Sequence, residues 1–333
     1  MTRVSVVIPN WNGLHWLKPC LEALRRQSHA DFQLVVVDNG STDGSAAFLR
    51  EHRPDITLCA LPRNIGFAAG MNAGFAVATG DYVVALNNDT LPAEGWLAAL
   101  VDVLDAHPEA GSAASTMVLM SDPAIIDTLG DGYGWTGVSY KLGAGRRVAD
   151  APKRPFPVFG ACAGAAIYRR VMLDEIGVFD EAFFAYMEDV DLAIRARLAG
   201  WGCVSAPDAV VLHSVAASTG GDASDFSVRH TARNVIATIL KTAPWPLLPL
   251  LLFTTLSTQA IAVTLSLATG RPAWLRRHIG AYVFGLRAAV AEAPRMLAAR
   301  RAIQARRRLS TWAFIALLRK SARLRRRVAR PQP

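Results

Sequence analysis

Cysteine is scarce in this chain, and no two cysteines stand close together. Cys20, Cys59, Cys162 and Cys203 are far apart with no CxxC pair. That pattern argues against a zinc site or a redox couple and for free thiols in a reducing compartment. A GxGxxG fingerprint and a P-loop are both missing, so neither a nicotinamide cofactor nor ATP is indicated. The opening MTRVSVVIPNWN does not read as a signal peptide, because its apolar run is short and ends in polar residues. Acidic residues almost vanish near the C-terminus. From Arg271 onward there are 17 Lys/Arg and a single acid, Glu292, a balance of +16. The preceding 270 residues carry 19 Lys/Arg and 26 Asp/Glu, or −7, so the net charge of +9 describes a basic tail on a mildly acidic body.

What is present is apolar enough to fold. Hydrophobic residues make up 52% of the 333 and charged ones 19%, which allows a sizeable core in one large or two smaller domains. Val4 to Ile8 reads as a buried strand that opens into the polar loop Pro9, Asn10, Trp11, Asn12, Gly13. Leu14, Leu17, Leu21 and Leu24 follow at helical spacing. Leu34 to Val37 is a second strand, ending in Asp38, Asn39, Gly40, Ser41, Thr42 and Asp43. An Asp at a strand's C-terminal end accepts hydrogen bonds from a base or ribose, or it merely shapes the turn. Ile56 to Leu61 is a third strand. It precedes Arg63, Asn64, Ile65, Gly66 and a helical stripe of Phe67, Met71 and Phe75, which reads as core.

Tyr82 to Leu86 is a further buried strand, closed by Asn87, Asn88, Asp89 and Thr90. Oxygen ligands at the end of such a strand point to where open α/β sheets bind ligands. One carboxylate among neutral oxygens suits a hard cation bound to phosphates, and an ordinary Asn/Asp turn explains the same residues equally well. The alternation of strand and helix predicts a mostly parallel sheet covered by helices. Residues 93 to 107 read as a helix and 113 to 119 as a strand. Residues 121 to 157, rich in Gly, Asp and Pro, read as a long irregular segment, in which Tyr133, Trp135 and Tyr140 suit a sugar-contacting loop or a solvent-exposed excursion.

Gly160 to Gly164 precedes a strand at Ala165 to Tyr168, and a helical turn runs from Arg169 to Ile176. After the aromatic stretch Phe183 to Met187, the acids Glu188, Asp189 and Asp191 open a helix through Ala199. Acids in a first turn favour the helix dipole, yet three in four residues exceed what capping needs. A carboxylate desolvated there gains a raised pKa and can serve as general base. Ala209 to Leu212 reads as a strand ending in His213.

In their joint order, VSVVIPNWNG, VVVDNGSTDGS, RNIGFAAGMNAG, GDYVVALNNDT, GVFDEAFFAYMEDVDLAIRARLAGW and VLHS resemble the inverting nucleotide-sugar glycosyltransferases of family 2. The subgroup most resembled is the bacterial rhamnosyltransferases and galactofuranosyltransferases of cell-surface glycan assembly. The resemblance spans about residues 3 to 240. It implies a GT-A fold, Rossmann-like with helices on both faces of the sheet. It implies a nucleotide-binding half over about 1–120 and an acceptor-binding half over about 121–240. Pro9, Asn10, Asn12 and Asp38 would hold the nucleotide, helped by Asn64, Asn72, Asn87 and Asn88. Asp89 and His213 would hold a divalent metal, Mg²⁺ or Mn²⁺, on the diphosphate. Asp189 would be the catalytic base and Glu188 its neighbour. Asn87 stands where the wider family often has a first metal-binding Asp, which lowers the local negative charge. The implied reaction moves a sugar, dTDP-rhamnose being the first choice of donor, to a glycan or polyprenyl-linked acceptor. UDP-galactofuranose and polyprenyl-phosphate sugar synthesis are the alternatives. A processive synthase would need several spans and a Gln-x-x-Arg-Trp motif, which the sequence lacks.

Beyond residue 240 the sequence predicts a helical, membrane-associating region, 241–333. Trp245 to Ala268 is 24 residues without a charge, long enough to span a bilayer. Pro244, Pro246 and Pro249 also allow a segment that dips into the membrane, and a docking helix is the soluble alternative. The basic, apolar-interleaved tail suits an anionic membrane surface. It would also suit nucleic acid, but the uncharged segment before it favours lipid, so no nucleic acid is expected. Positive charge beside a membrane segment, and the need for sugar nucleotide, both point to the cytoplasmic face of the cell membrane.

Overall fold

The structure is a computed structural model, and it describes residues 3–215, 224–268 and 272–328. The first four strands run as expected. They are β1 (Val4–Asn10), β2 (Phe32–Asn39), β3 (Thr57–Leu61) and β4 (Tyr82–Leu86), alternating with α1 (Leu14–Arg25), α2 (Ser45–His52) and α3 (Phe67–Val77). All their pairings are parallel. After β5 (Thr90–Pro92), α4 (Trp96–Ala106) and β6 (Ala110–Leu119), the segment expected to be irregular instead contains three strands. These are β7 (Asp122–Thr128), β8 (Asp131–Tyr133) and β9 (Ser139–Lys141). They are short, and their side chains pack on neighbours distant in sequence, so no two-residue period marks them.

The chain continues through β10 (Ala165–Arg169), α5 (Arg170–Ile176), α6 (Glu188–Leu198) and β11 (Gly202–His213). The main sheet has the order β3-β2-β1-β4-β10-β6-β11-β5, with β7 added to β6, and β8 and β9 form a separate hairpin. It is a mixed sheet: β10 lies antiparallel between β4 and β6, while β11 is parallel to β6.

Both faces of the sheet are covered. Val4, Val6 and Ile8 pack with Leu17, Leu21 and Leu24 of α1 and with Trp96, Leu97 and Leu100 of α4. Val7, Val35 and Val37 face the other way, against Met71 and Phe75 of α3 and Leu192 of α6. The α1 leucines recur at helical spacing and are buried, each such side chain stabilising by about 1.5–3 kcal/mol. The stripe of Phe67, Met71 and Phe75 is core, as its spacing predicts.

The C-terminal helices are not an appended tail in space. They are α7 (Asp225–Thr242), α8 (Leu248–Ala268), α9 (Pro272–Ala305) and α10 (Thr311–Val328). Val235 and Ile239 of α7, Leu251 of α8, Met296 of α9 and Phe314 and Leu318 of α10 share a third core with Phe183, Val190 and Leu198. No helix among the described residues is long and apolar enough to cross a membrane. Leu251 and Thr255 of α8 are buried, whereas Leu250, Phe253, Leu256, Ile261 and Leu265 are exposed. The helix therefore docks along one edge and leaves an apolar side uncovered. The polar run after His213 lies largely in residues 216–223, outside the described residues.

Candidate active site

Strand register brings the expected residues together. In the β1–β2 ladder Asn10 pairs with Asp38, so both leave the same end of the sheet. Asn10 is buried and accepts from Asn88 Nδ2 at 2.7 Å. Its own Nδ2 donates to Ser41 Oγ at 3.3 Å. Asn12, with φ of 50°, accepts from the Thr42 N–H at 2.7 Å. Pro9 is half-buried in the last pairs of β1. Asp38 is buried; Oδ2 accepts from the Ser41 N–H at 3.4 Å, and Oδ1 has no partner. A buried carboxylate oxygen without a donor is costly, and a base or ribose donor would satisfy it. Gly13 lets these loops meet, because a Cβ there would run into the Asn88 amide.

The Asn64 oxygen and the whole Asn72 amide are committed elsewhere. Asn64 Oδ1 accepts from the Gly66 N–H and from Asn39 Nδ2, fixing the turn before α3. Asn72 exchanges hydrogen bonds with the Phe179 backbone at 2.9 and 3.1 Å and donates to Glu181. Its amide ties α3 to the loop before α6, leaving both of its polar atoms already used.

Two strands meet at the end of β4. In the β11–β5 ladder His213 pairs with Thr90, which sets the imidazole beside Asp89. His213 Nε2 lies 3.7 Å from Asp89 Oδ1, and both side chains are buried. His213 Nδ1 lies 2.9 Å from Asp127 Oδ2, and Lys141 Nζ lies 2.7 Å from Asp127 Oδ1. Burial works to raise the Asp127 carboxyl, but the His213 hydrogen bond and the Lys141 ammonium outweigh it and hold it below the usual carboxylate range.

The base candidate sits close by. Asp189, half-buried at the start of α6, accepts from the Val190 N–H at 2.8 Å and from the Ala163 N–H at 3.1 Å. The next residue, Gly164, accepts from the Asn87 N–H at 2.9 Å. Two consecutive residues of the small GACAG run thus join the Asn87–Asp89 motif to Asp189. Burial raises the Asp189 carboxyl, and its two backbone N–H partners offset part of that. Glu188 is pushed much further up, first by burial and then by Asp189, and its Oε2 has no partner.

Several residues of this site escaped sequence reasoning. Asp127, Asp131 and Lys141 come from the segment expected to be irregular. Burial, and then Asp189, push Asp131 well above the usual range, while Lys141 opposes this. The one Asp-Gly pair of that segment, Asp131-Gly132, reads as a turn signal but lies in β8, and no motif marks the acids as site residues. Asn234 of α7 is fully buried, and its Nδ2 donates to the carbonyls of Phe183, Ala185 and Tyr186 at 3.1, 3.0 and 2.7 Å. Phe184, Tyr186 and Met187 all have φ between 62° and 70°, a costly state for non-glycine residues. Asn234 holds that strained turn directly before Glu188. An amide among the apolar positions of α7 is the one sequence signal of its role.

Two expectations fail here. Tyr133 is core rather than a sugar contact, being 1% exposed and packed on Phe159. The Tyr140 hydroxyl lies 2.9 Å from Ser321 Oγ of α10, with the Arg325 guanidinium over its ring. Asp191 does not join the acidic site either. It is fully buried and bound to Arg195 and Lys241, both at 2.8 Å.

A sequence profile described as "Glycosyl transferase family 2" matches residues 5–177, more than half of the chain. The chain belongs to this family. Among curated relatives of this family 2 enzyme, N-acetylglucosaminyl-diphospho-decaprenol L-rhamnosyltransferase of Mycobacterium tuberculosis is 28% identical over 243 residues, 64% of this chain and 76% of that protein. The pre-mycofactocin glycosyltransferase of the same species is 31% identical over 244 residues, 68% of this chain but 48% of that one. Among solved structures, S. aureus TarS 1-349 in complex with UDP matches with a TM-score of 0.55 at 16% identity, covering 94% of this chain and 91% of that one. The mannosyltransferase PcManGT of Pyrobaculum calidifontis, solved with GDP-Man and Mn²⁺, matches with a TM-score of 0.51 at 22% identity, covering 98% and 88%. These likenesses establish the GT-A fold.

The residues present fit a divalent metal in a limited way. Among the described residues no group of three or more His, Cys, Asp or Glu side chains is arranged to hold one. The Asp89–His213 separation of 3.7 Å lies within the ~4.2 Å that two ligands can span across an ion at about 2.1 Å each. Small divalent ions on phosphorylated substrates commonly take only one or two protein ligands. The donor set therefore suits an ion completed by a diphosphate and water.

Proposed function

We propose that this glycosyltransferase inverts the anomeric centre of a nucleotide-sugar, preferentially dTDP-rhamnose, and transfers the sugar to a hydroxyl of a lipid-linked or cell-surface glycan. The observation that carries the proposal is the bridge Asn87–Gly164–Ala163–Asp189. It ties the end of β4, where a diphosphate would lie, to the Asp189 carboxyl.

Asp38, Asn10 and Asn12 would hold the nucleoside at the shared end of β1 and β2. Asp89 and His213 would hold Mg²⁺ or Mn²⁺. When bound, that ion would stabilise negative charge on the diphosphate, so that the leaving group needs no proton. Asp189 takes the proton of the acceptor hydroxyl. The acceptor oxygen then bonds to the anomeric carbon from the face opposite the diphosphate, and the carbon–oxygen bond to the phosphate breaks. One base suffices, whereas glycoside hydrolysis needs two carboxyl groups. The rhamnosyltransferase among the relatives supports the choice of donor.

Screening purified protein against dTDP-rhamnose, UDP-galactofuranose and other sugar nucleotides, with Mn²⁺ or with chelator, tests the reading. Metal-dependent binding or hydrolysis of dTDP-rhamnose is the expected result. Preference for a UDP-sugar would replace the donor, and no response to any sugar nucleotide would overturn the function.

The enzyme would work at the cytoplasmic face of the membrane. The exposed Phe253, Ile261 and Leu265 of α8 and Val290 of α9, together with the basic helix α10 and its exposed Trp312, support association with a membrane surface. Apolar side chains would enter the interface, and each basic residue would add roughly 1 kcal/mol on anionic lipid. Flotation with phosphatidylglycerol vesicles is expected to retain the protein in low salt, with release in high salt and in a Phe253→Glu/Leu265→Glu variant. Equal retention on neutral phosphatidylcholine vesicles would contradict the charge-driven part.

A further inference from the structure

Asp127 and Lys141 have no place in the reaction as described, yet Asp127 is held against His213, the proposed metal ligand, and Lys141 against Asp127. β7 pairs antiparallel with β6, which is itself paired with β11 up to His213. That layering carries Asp127 to the far side of the imidazole from Asp89. Asp127 is buried. One of its oxygens lies 2.9 Å from His213 Nδ1 and the other 2.7 Å from Lys141 Nζ. A carboxylate receiving an ammonium N–H at such a distance is ionised and can only accept. The hydrogen on that imidazole edge must therefore sit on Nδ1. In the neutral ring this leaves the lone pair on Nε2, the atom that looks across 3.7 Å to Asp89 Oδ1.

We infer that Asp127 is a positioning residue for the metal site: it fixes the His213 tautomer and ring orientation so that Nε2 is presented to a divalent cation. The inference rests on the reading of Asp89 and His213 as metal ligands. Lys141 keeps Asp127 in register from β9. It also supplies a positive charge that offsets the carboxylate, so the metal site does not gain a second negative charge. β9 is in turn fastened from outside, through the contact of Tyr140 with Ser321, and Ser321 Oγ also accepts from the Tyr133 N–H at 3.0 Å. The Lys141–Asp127–His213 row is thereby anchored to two independent parts of the fold. The competing structural reading is a doubly protonated His213 that serves only as an ion pair between Asp127 and Asp89.

Carboxylate partners of metal-binding histidines are worth about 10–100-fold in metal affinity. The test titrates Mn²⁺ into the full chain in the presence of the nucleoside diphosphate that the donor screen retains, reading free Mn²⁺ by electron paramagnetic resonance. Asp127→Asn is expected to weaken Mn²⁺ about 10–100-fold while leaving the circular dichroism spectrum unchanged. If His213→Ala and Asp89→Ala weaken Mn²⁺ and Asp127→Asn stays within twofold of the parent, the positioning role is overturned and the metal site stands. If His213→Ala and Asp89→Ala also leave Mn²⁺ affinity unchanged, the metal-site reading falls and takes this inference with it. Nitrogen-15 spectra of the unmodified protein give a second measurement that needs no substitution. A neutral His213 ring protonated on Nδ1, with Nε2 broadened by Mn²⁺, is expected. A ring protonated on Nε2, or an imidazolium indifferent to Mn²⁺, would overturn the inference.

Discussion

Asp189→Asn is expected to reduce kcat by at least about 100-fold, since a positioned general base contributes roughly 10²–10⁴, while nucleoside diphosphate binding stays within a few-fold of the parent. The substitution preserves volume and leaves one oxygen for the Ala163 and Val190 N–H groups, which bind separate carboxylate oxygens, so it removes the capacity to take a proton at the cost of one of those two contacts. On the proposed reading the nucleotide would be held at a different part of the cleft, through Asn10, Asn12 and Asp38, so its affinity should not follow. Calorimetric binding and steady-state turnover on the same preparation separate the two. Undiminished turnover would remove Asp189 from the role of base. The pH dependence should agree. Burial raises the Asp189 carboxyl, and only its ionised form accepts a proton. The acid limb of kcat/KM should therefore fall at a pH above the usual aspartate value, with activity lost as pH drops through it. Burial and then Asp189 raise the Glu188 carboxyl, so if Glu188 only neighbours the base, Glu188→Gln should preserve that limb.

The largest loss of stability is expected from Asp191→Ala. Asp191 is fully buried and shared between Arg195 and Lys241, each at 2.8 Å, and Lys241 also binds Asp180 at 2.7 Å. Arg195 further donates to the carbonyls of Ile176, Gly177 and Val178. Removing the carboxylate leaves two cations facing each other in a buried position with one partner gone. Breaking a buried pair from one side costs about 3–5 kcal/mol. Denaturant titration should show that decrease in unfolding free energy; a loss under about 1 kcal/mol, the scale of an exposed pair, would mean that water reaches the network. The sequence grouped Asp191 with Glu188 and Asp189 because three acids in four residues look like one cluster. In the helix Asp191 instead meets Arg195, one turn further along α6, and Lys241 of α7.

The parallel half of the sheet was legible because its strands are buried on both faces, so apolar runs end abruptly at polar loops. Asp38, Asn87, Asn88, Asp89 and His213 stand at those ends, and a strand end is a place that sequence can locate. Asn64 and Asn72 carried the same kind of signal, yet the Asn64 oxygen and both polar atoms of Asn72 are engaged within the chain. Whether an amide faces a cleft or a backbone depends on the partner segment, and nothing local to Asn72 announces Phe179. The apolar run after Pro244 illustrates the same limit. Its composition allowed a span, a dip or a docked helix, and the third core shows one edge of α8 docked on the protein.

Sequence by itself therefore determined the family, the strand–helix alternation of the first 120 residues and the placement of Asp89, Asp189 and His213 at element ends, because these depend on runs, periods and motifs read along the chain. Tertiary structure alone decided the antiparallel entry of β10, the hairpin that brings Asp131 and Lys141 to the site, the Asn234 brace and the placement of Asp127 behind His213. Those depend on register between strands far apart in sequence, where a pairing shift of one residue turns every side chain to the other face.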